Sequence, residues 1–110
     1  MKIQVTAQDI AQGCRGKCEL CPVALAVRRA VGHDNVYVDI NTYEAKTTAT
    51  LSVAVGSTGE WKYRLPDKVK DFINDFDMGY YLLVKPFEFD LDDNLRIYID
   101  SKRWYSSLAQ

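Results

Sequence analysis

In three runs between Val36 and Leu65, apolar and polar residues alternate, and a chain with that period is committed to half-buried β-strands. In VYVDI, Val36, Val38 and Ile40 alternate with Tyr37 and Asp39, and Asn41 and Thr42 read as a turn. TATLSVAV sets Leu51, Val53 and Val55 on one face, and EWKYRL does the same for Trp61, Tyr63 and Leu65. GSTG between them has the glycines a hairpin tolerates, so the three runs predict an antiparallel meander. The pattern returns in FEFDLD, with Phe87, Phe89 and Leu91 inward and Glu88, Asp90 and Asp92 outward. Asp93 and Asn94 then turn the chain into LRIYID, where Leu95, Ile97 and Ile99 repeat it. KIQV near the start is a further short strand candidate.

Three segments carry helical signals instead. TAQDIAQG opens with Thr6 as a cap and Asp9 at the third helical position, the spacing of a capping box, and Gly13 stands at its end. PVALAVRRAV begins at Pro22, a residue suited to a first turn whose N–H has no partner, and Gly32 stops it. In PDKVKDFINDFD, Val69, Phe72, Ile73 and Phe76 fall at i, i+3, i+4 and i+7, one buried stripe, with Gly79 just beyond. YYLLV reads as a strand or a buried crossing segment. Because each strand has one polar face, the expected fold is α+β. It is a single domain over residues 1–110, with an antiparallel sheet of about five strands and helices packed on one face.

Charge and composition narrow the function. Apolar residues make up 47% and charged residues 26%, as in an ordinary folded domain, and the net charge of −1 gives no surplus of Lys and Arg for binding phosphates. A direct nucleic-acid contact would fall to Arg15, Lys17, Arg28 and Arg29 and is the least favoured reading. MKIQVTAQDI is too polar for a signal peptide, and no apolar run reaches the ~18 residues of a membrane helix, so a cytoplasmic location is expected. From Pro66 to Asp100 nine acids face four bases, a net of −5. Of these, Asp71, Asp75, Asp77, Glu88, Asp90, Asp92 and Asp93 form the candidate docking surface for a basic partner; a solvated charged face is the bland alternative.

All three cysteines lie in GCRGKCELCP, spaced C-x3-C-x2-C at Cys14, Cys18 and Cys21. Three thiolates at that spacing hold a [4Fe–4S] cluster in radical S-adenosylmethionine enzymes, but those enzymes wrap the cluster in a much longer α/β barrel. Zinc would want a fourth ligand. His33, the only histidine, is separated from Cys21 by a helix ~16 Å long. A CxxC redox pair would want a strand leading into it, which DIAQGCRGK is not. The preferred reading has Cys21 capping a helix and packing as a small apolar residue, with Cys14 and Cys18 as loop thiols. A zinc, iron–sulfur or redox site on the three cysteines is the alternative, and otherwise no cofactor is expected. One histidine and no Ser/His/Asp spacing leave no basis for nucleophilic catalysis.

Two stretches, VTAQDIAQG…CPVALAVRRAVG and LPDKVKDFINDFDMG…KPFEFDLD, resemble a group of small uncharacterised proteins of phages and related mobile elements. In that group a CPVALA helix is followed by an FI..FD.G helix and a PF.F.L strand. The resemblance spans about two thirds of the chain and brings no catalytic residues. It implies a small accessory protein in the host cytosol. The expected function is non-enzymatic binding to a host or phage protein, such as an anti-defence, anti-CRISPR-like inhibitor of a nucleic-acid-handling protein.

Overall fold

A computed structural model describes residues 1–17, 19–32, 35–43, 46–55, 59–92 and 96–100. Cys18, His33, Asp34, Glu44, Ala45, Asp93, Asn94, Leu95 and residues 56–58 and 101–110 lie outside the described residues, and with them most of the GSTG hairpin connection and the Asp93–Asn94 turn expected from the sequence. The element order is β1 (Lys2–Val5), α1 (Ala7–Gln12), α2 (Pro22–Val31), β2 (Val36–Tyr43), β3 (Lys46–Val55), β4 (Gly59–Arg64), α3 (Asp67–Met78), β5 (Phe87–Asp90) and β6 (Arg96–Asp100). No helix among the described residues is long and apolar enough to cross a membrane.

The α+β expectation holds, but the single sheet of about five strands does not. Strands β2-β3-β4-β6 form one antiparallel sheet, and β1 pairs with β5 in a separate two-stranded ribbon. Alternation reports which side of a strand is buried; it carries no information about which backbone completes the hydrogen bonds along the strand's edge. β5 finds that backbone at the start of the chain, in the register Ile3↔Phe89 and Val5↔Phe87. Met1 and Leu91 extend the pairing, their main chains exchanging hydrogen bonds of 3.1 and 2.7 Å. Helix α2 touches the ribbon through β1 and the large sheet through β2. Helix α3 reaches the ribbon through Phe72 and Phe87, whose rings are 4.7 Å apart, and packs on β3 as well. One core therefore joins both sheets, from Ile3, Val5 and Phe89 through Val23, Val27 and Val69 to Val36 and Leu51.

Three local expectations are also corrected. β2 does not turn at Asn41 and Thr42; it runs to Tyr43, with Asn41↔Thr48 and Thr42↔Thr47 in register. In β6 the faces are reversed: Trp61↔Tyr98 and Tyr63↔Arg96 share the core side, and Ile97 stands exposed opposite Lys62. The reversal is stabilised by aromatic contacts. The Arg96 guanidinium lies 3.9 Å from the Trp61 ring centroid and donates to the Tyr63 hydroxyl at 3.1 Å, while Tyr98 meets Trp61 edge-on at 5.1 Å. An arginine and a tyrosine thus share the face of Trp61 and Tyr63 that a polarity count gives to isoleucine, with Arg96 half-buried and Tyr98 still 41% exposed. Finally, YYLLV is neither a strand nor a buried crossing: Tyr80–Leu83 form an exposed turn, and Val84 after them packs partly on the core.

The helices form as their sequences dictate. Thr6 and Asp9 complete the capping box, the Thr6 hydroxyl accepting from the Asp9 N–H and the Asp9 carboxylate from the Thr6 N–H. Gly13 ends α1 in extended backbone and not in the left-handed region. A side chain there would strike the Pro22 ring at 2.6 Å, so this glycine lets α1 and the start of α2 approach. In α3, Val69, Phe72, Ile73 and Phe76 are buried as the spacing predicts, each contributing roughly 1.5–3 kcal/mol of burial.

Candidate docking surface

Residues 67–78 form a helix whose buried stripe leaves Asp67, Asp71, Asn74 and Met78 exposed and Asp75 half-buried on its other side. Asp71 and Asp75 are one turn apart, and like charges at that spacing cost a few tenths of a kcal/mol. Asp75 and Asp77 also occupy the last turn, where the carbonyl ends already carry negative potential, and α3 has no basic residue of its own there; the Arg15 guanidinium reaches the helix end at Gly79 from another loop. Asp77 has one compensation: its Oδ1 accepts the Gly16 N–H at 3.1 Å. The C-terminal half of α3 is therefore more acidic than helix stability favours.

The acids on β5 have a different setting. Glu88 and Asp90 point to the outer face of the ribbon, opposite Gln4 and Lys2. Lys2 Nζ lies 3.8 Å from Glu88 Oε1, and Lys68 Nζ donates to the Glu88 carbonyl at 2.8 Å. Two lysines thus offset this part of the acidic face. Asp92 is exposed just past β5. The sequence-predicted set divides into Asp71, Asp75 and Asp77 on α3 and Glu88, Asp90 and Asp92 on or beside β5. Asp93 lies outside the described residues.

The cysteine segment forms a loop that packs against the end of α3. Its turn is closed by Cys14 N–H to the Leu20 carbonyl at 2.9 Å and Leu20 N–H to the Lys17 carbonyl at 3.1 Å. Cys21 is buried as the cap of α2, its Sγ accepting from the Ala24 N–H at 3.5 Å, whereas Cys14 is exposed. A cavity of about 190 Å³ separates this loop from β2 and α3, with Cys21, Asp39 and Asp77 in its wall. Among the described residues no group of three or more His, Cys, Asp or Glu side chains is placed to hold a metal ion.

Of the four basic residues named for a nucleic-acid contact, the three arginines are engaged in the fold, and Lys17 is exposed. Arg28 donates to the Glu19 carbonyl at 3.3 Å, and Arg15 donates to the Tyr81 hydroxyl. Arg29 grips Asp9 with both terminal nitrogens, at 2.7 and 2.9 Å, and reaches the Gln4 carbonyl at 3.0 Å. Asp9 is the one buried charged residue described, 3% exposed. Burial pushes its carboxyl up, but the bonds from Arg29 and from Thr6 outweigh that and hold it below the ordinary range. The same bond from Asp9 raises the Arg29 guanidinium, against a smaller opposing effect of burial.

Two features escaped the sequence reading. The Asp9–Arg29 pair spans twenty positions and has no local signature beyond the capping box that Asp9 also serves. The exposed turn at Tyr80–Leu83 has core-like composition, and only Gly79 before it and Pro86 after it mark it as a connection. No family model, no curated protein and no solved structure matches this chain, so its surface chemistry is read from its own residues.

Proposed function

We propose that this protein is a non-enzymatic binding protein whose acidic surface docks on a basic partner protein. In the setting its resemblance implies, it is an accessory protein of a phage or mobile element in the host cytosol. There it inhibits a nucleic-acid-handling protein, in the manner of an anti-CRISPR, because Lys and Arg rows that bind phosphate also accept carboxylates. One observation supports this most: on α3, Asp71 and Asp75 stand at like-charge spacing, and Asp75 and Asp77 lie in the last turn, where the helix dipole disfavours them. A docking role accounts for acids at these positions, since carboxylates grouped at one helix end present a negative patch to a basic partner.

Reversing that charge separates the two roles. Asp71→Lys with Asp75→Lys is expected to leave the fold intact and raise its stability by about 0.3–1 kcal/mol in urea denaturation. The same variant is expected to lose the partner captured from host lysate by the unmodified protein, and that capture to weaken steeply with salt. Retention of the partner both by this variant and by Glu88→Lys with Asp90→Lys would remove the acidic face from the interaction.

A further inference from the structure

From the last residue of α3 onward, five of six residues are large, apolar and in solvent: Met78 60%, Tyr80 47%, Tyr81 76%, Leu82 89% and Leu83 63% exposed. Single exposed apolar residues are ordinary, but a contiguous run of them marks an interaction site. The run is also held in a fixed shape. Gly79 turns the chain in the left-handed region at φ 78°, where a side chain would be strained and would crowd the Arg15 guanidinium at 3.2 Å. Tyr80 N–H donates to the Asp75 carbonyl at 2.9 Å, and Leu83 N–H to the Tyr80 carbonyl at 3.0 Å. Arg15, from the cysteine loop, lies 5.0 Å from the Tyr81 ring centroid and donates to its hydroxyl. With Gly16 bound to Asp77, the CRGK stretch braces the turn from behind.

We propose that Tyr80–Leu83 is the anchor of the docking surface, entering an apolar pocket on a partner protein whose rim carries Lys and Arg. This rests on the acidic-face reading and names the part of it that carries the affinity. Interfaces concentrate binding in a dry apolar and aromatic centre, with charges at the rim setting orientation and rate. Here the centre is Leu82 and Leu83, and the rim is Asp71, Asp75 and Asp77. A turn already ordered by Gly79 and Arg15 loses little freedom on binding. The charge selects among occupants. An anionic membrane attracts basic flanks, yet Lys85 is the only basic residue from Asp71 to Leu95, and Arg15, which touches the turn, is already bonded to Tyr81. Pairing two copies of the turn would bring their acids together.

A random-peptide display library selected on the immobilised full-length protein tests this. Enriched peptides are expected to combine aromatic or aliphatic residues with Lys and Arg. A synthetic peptide from that set is expected to lose roughly 30-fold or more in affinity for Leu82→Asp with Leu83→Asp. Urea stability should not change in that variant, since both side chains are outside the core. Enriched peptides that bind this variant undiminished but fail on Asp71→Lys with Asp75→Lys would overturn the anchor while leaving the acidic face standing. Loss on neither variant, or no enrichment, would overturn both. Co-sedimentation with phosphatidylcholine–phosphatidylserine vesicles that needs Leu82 and Leu83 would make the turn a membrane anchor instead. Self-association in sedimentation velocity that the same variant abolishes would assign it to a second copy; either result overturns the proposal.

Discussion

Arg29→Ala is expected to destabilise the protein by about 2–4 kcal/mol at neutral pH, more than any other loss of a surface-reaching side chain. Breaking a buried ion pair from one side costs about 3–5 kcal/mol because the remaining charge is stranded. The figure is discounted here because the Arg29 side chain is itself 54% exposed while that of Asp9 is 5% exposed. The asymmetry identifies which partner suffers: a freed Arg29 would turn to water, but a freed Asp9 cannot. The variant also loses the bond to the Gln4 carbonyl, so one side chain ties α1, α2 and β1 together.

The pH dependence follows from the same geometry. In the unmodified protein Asp9 is held below 3.8, so its contribution is full above the unfolded value and is lost as pH falls through the folded one. Without Arg29, burial has only the Thr6 bonds against it, and the Asp9 carboxyl should rise. The stability gap between variant and parent should then begin to narrow as pH falls through the variant's raised Asp9 value and close as it passes the parent's lowered one, because protonation relieves the stranded charge. Urea titrations across pH 3–7, with carboxyl NMR on Asp9, check both statements. A gap that is constant with pH would mean that Arg29 acts through packing alone.

Phe89→Ala is expected to cost about 3–5 kcal/mol, a large share of the roughly 5–15 kcal/mol by which proteins are stable. Phe89 is 2% exposed, pairs across the ribbon with Ile3, and lies 5.9 Å from the Phe87 ring, which in turn meets Phe72 of α3. Its removal leaves a cavity between the ribbon and the helices that rigid neighbours fill poorly. Because the ribbon shares the core, unfolding should remain a single transition with an unchanged denaturant slope. A loss below about 1 kcal/mol, or a separate early transition, would mean that β1 and β5 fold as an appendage to the four-stranded sheet.

The legible parts of the chain were those decided by neighbours in sequence. The Thr6–Asp9 capping box, Pro22 in the first turn of α2 and the Val69–Phe76 stripe are local, and the structure has them where the spacing put them. Non-local choices were hidden. FEFDLD announces a strand with Phe89 inward, yet nothing in it names Ile3 as the partner in place of a third hairpin. LRIYID looks apolar on its isoleucines. The contact between Arg96 and Trp61 reverses it, because a guanidinium stacked on an aromatic face is content at a sheet edge.

The same division holds at the surface. Alternation and helical spacing gave the outward direction of Asp71, Glu88 and Asp90, and all three are exposed. Their inequality was not readable, since Lys2 and Lys68 meet Glu88 only through the ribbon and the start of α3. Nor was the purpose of the cysteine segment. Cys21 caps α2 as its place before Pro22 implied, but Arg15 and Gly16 reach across more than sixty positions to Tyr81 and Asp77. YYLLV was misread for a related reason: composition alone cannot distinguish a side chain kept from water by its own fold from one exposed on the surface.

Hydrogen exchange on the protein with its captured partner addresses the proposed docking surface most directly. Amides from Asp67 to Val84 should gain protection in the complex, with the strongest gain at Tyr80–Val84, while the β2–β3 hairpin keeps its free-state rates. Protection confined to that hairpin, or to the ribbon alone, would contradict the account.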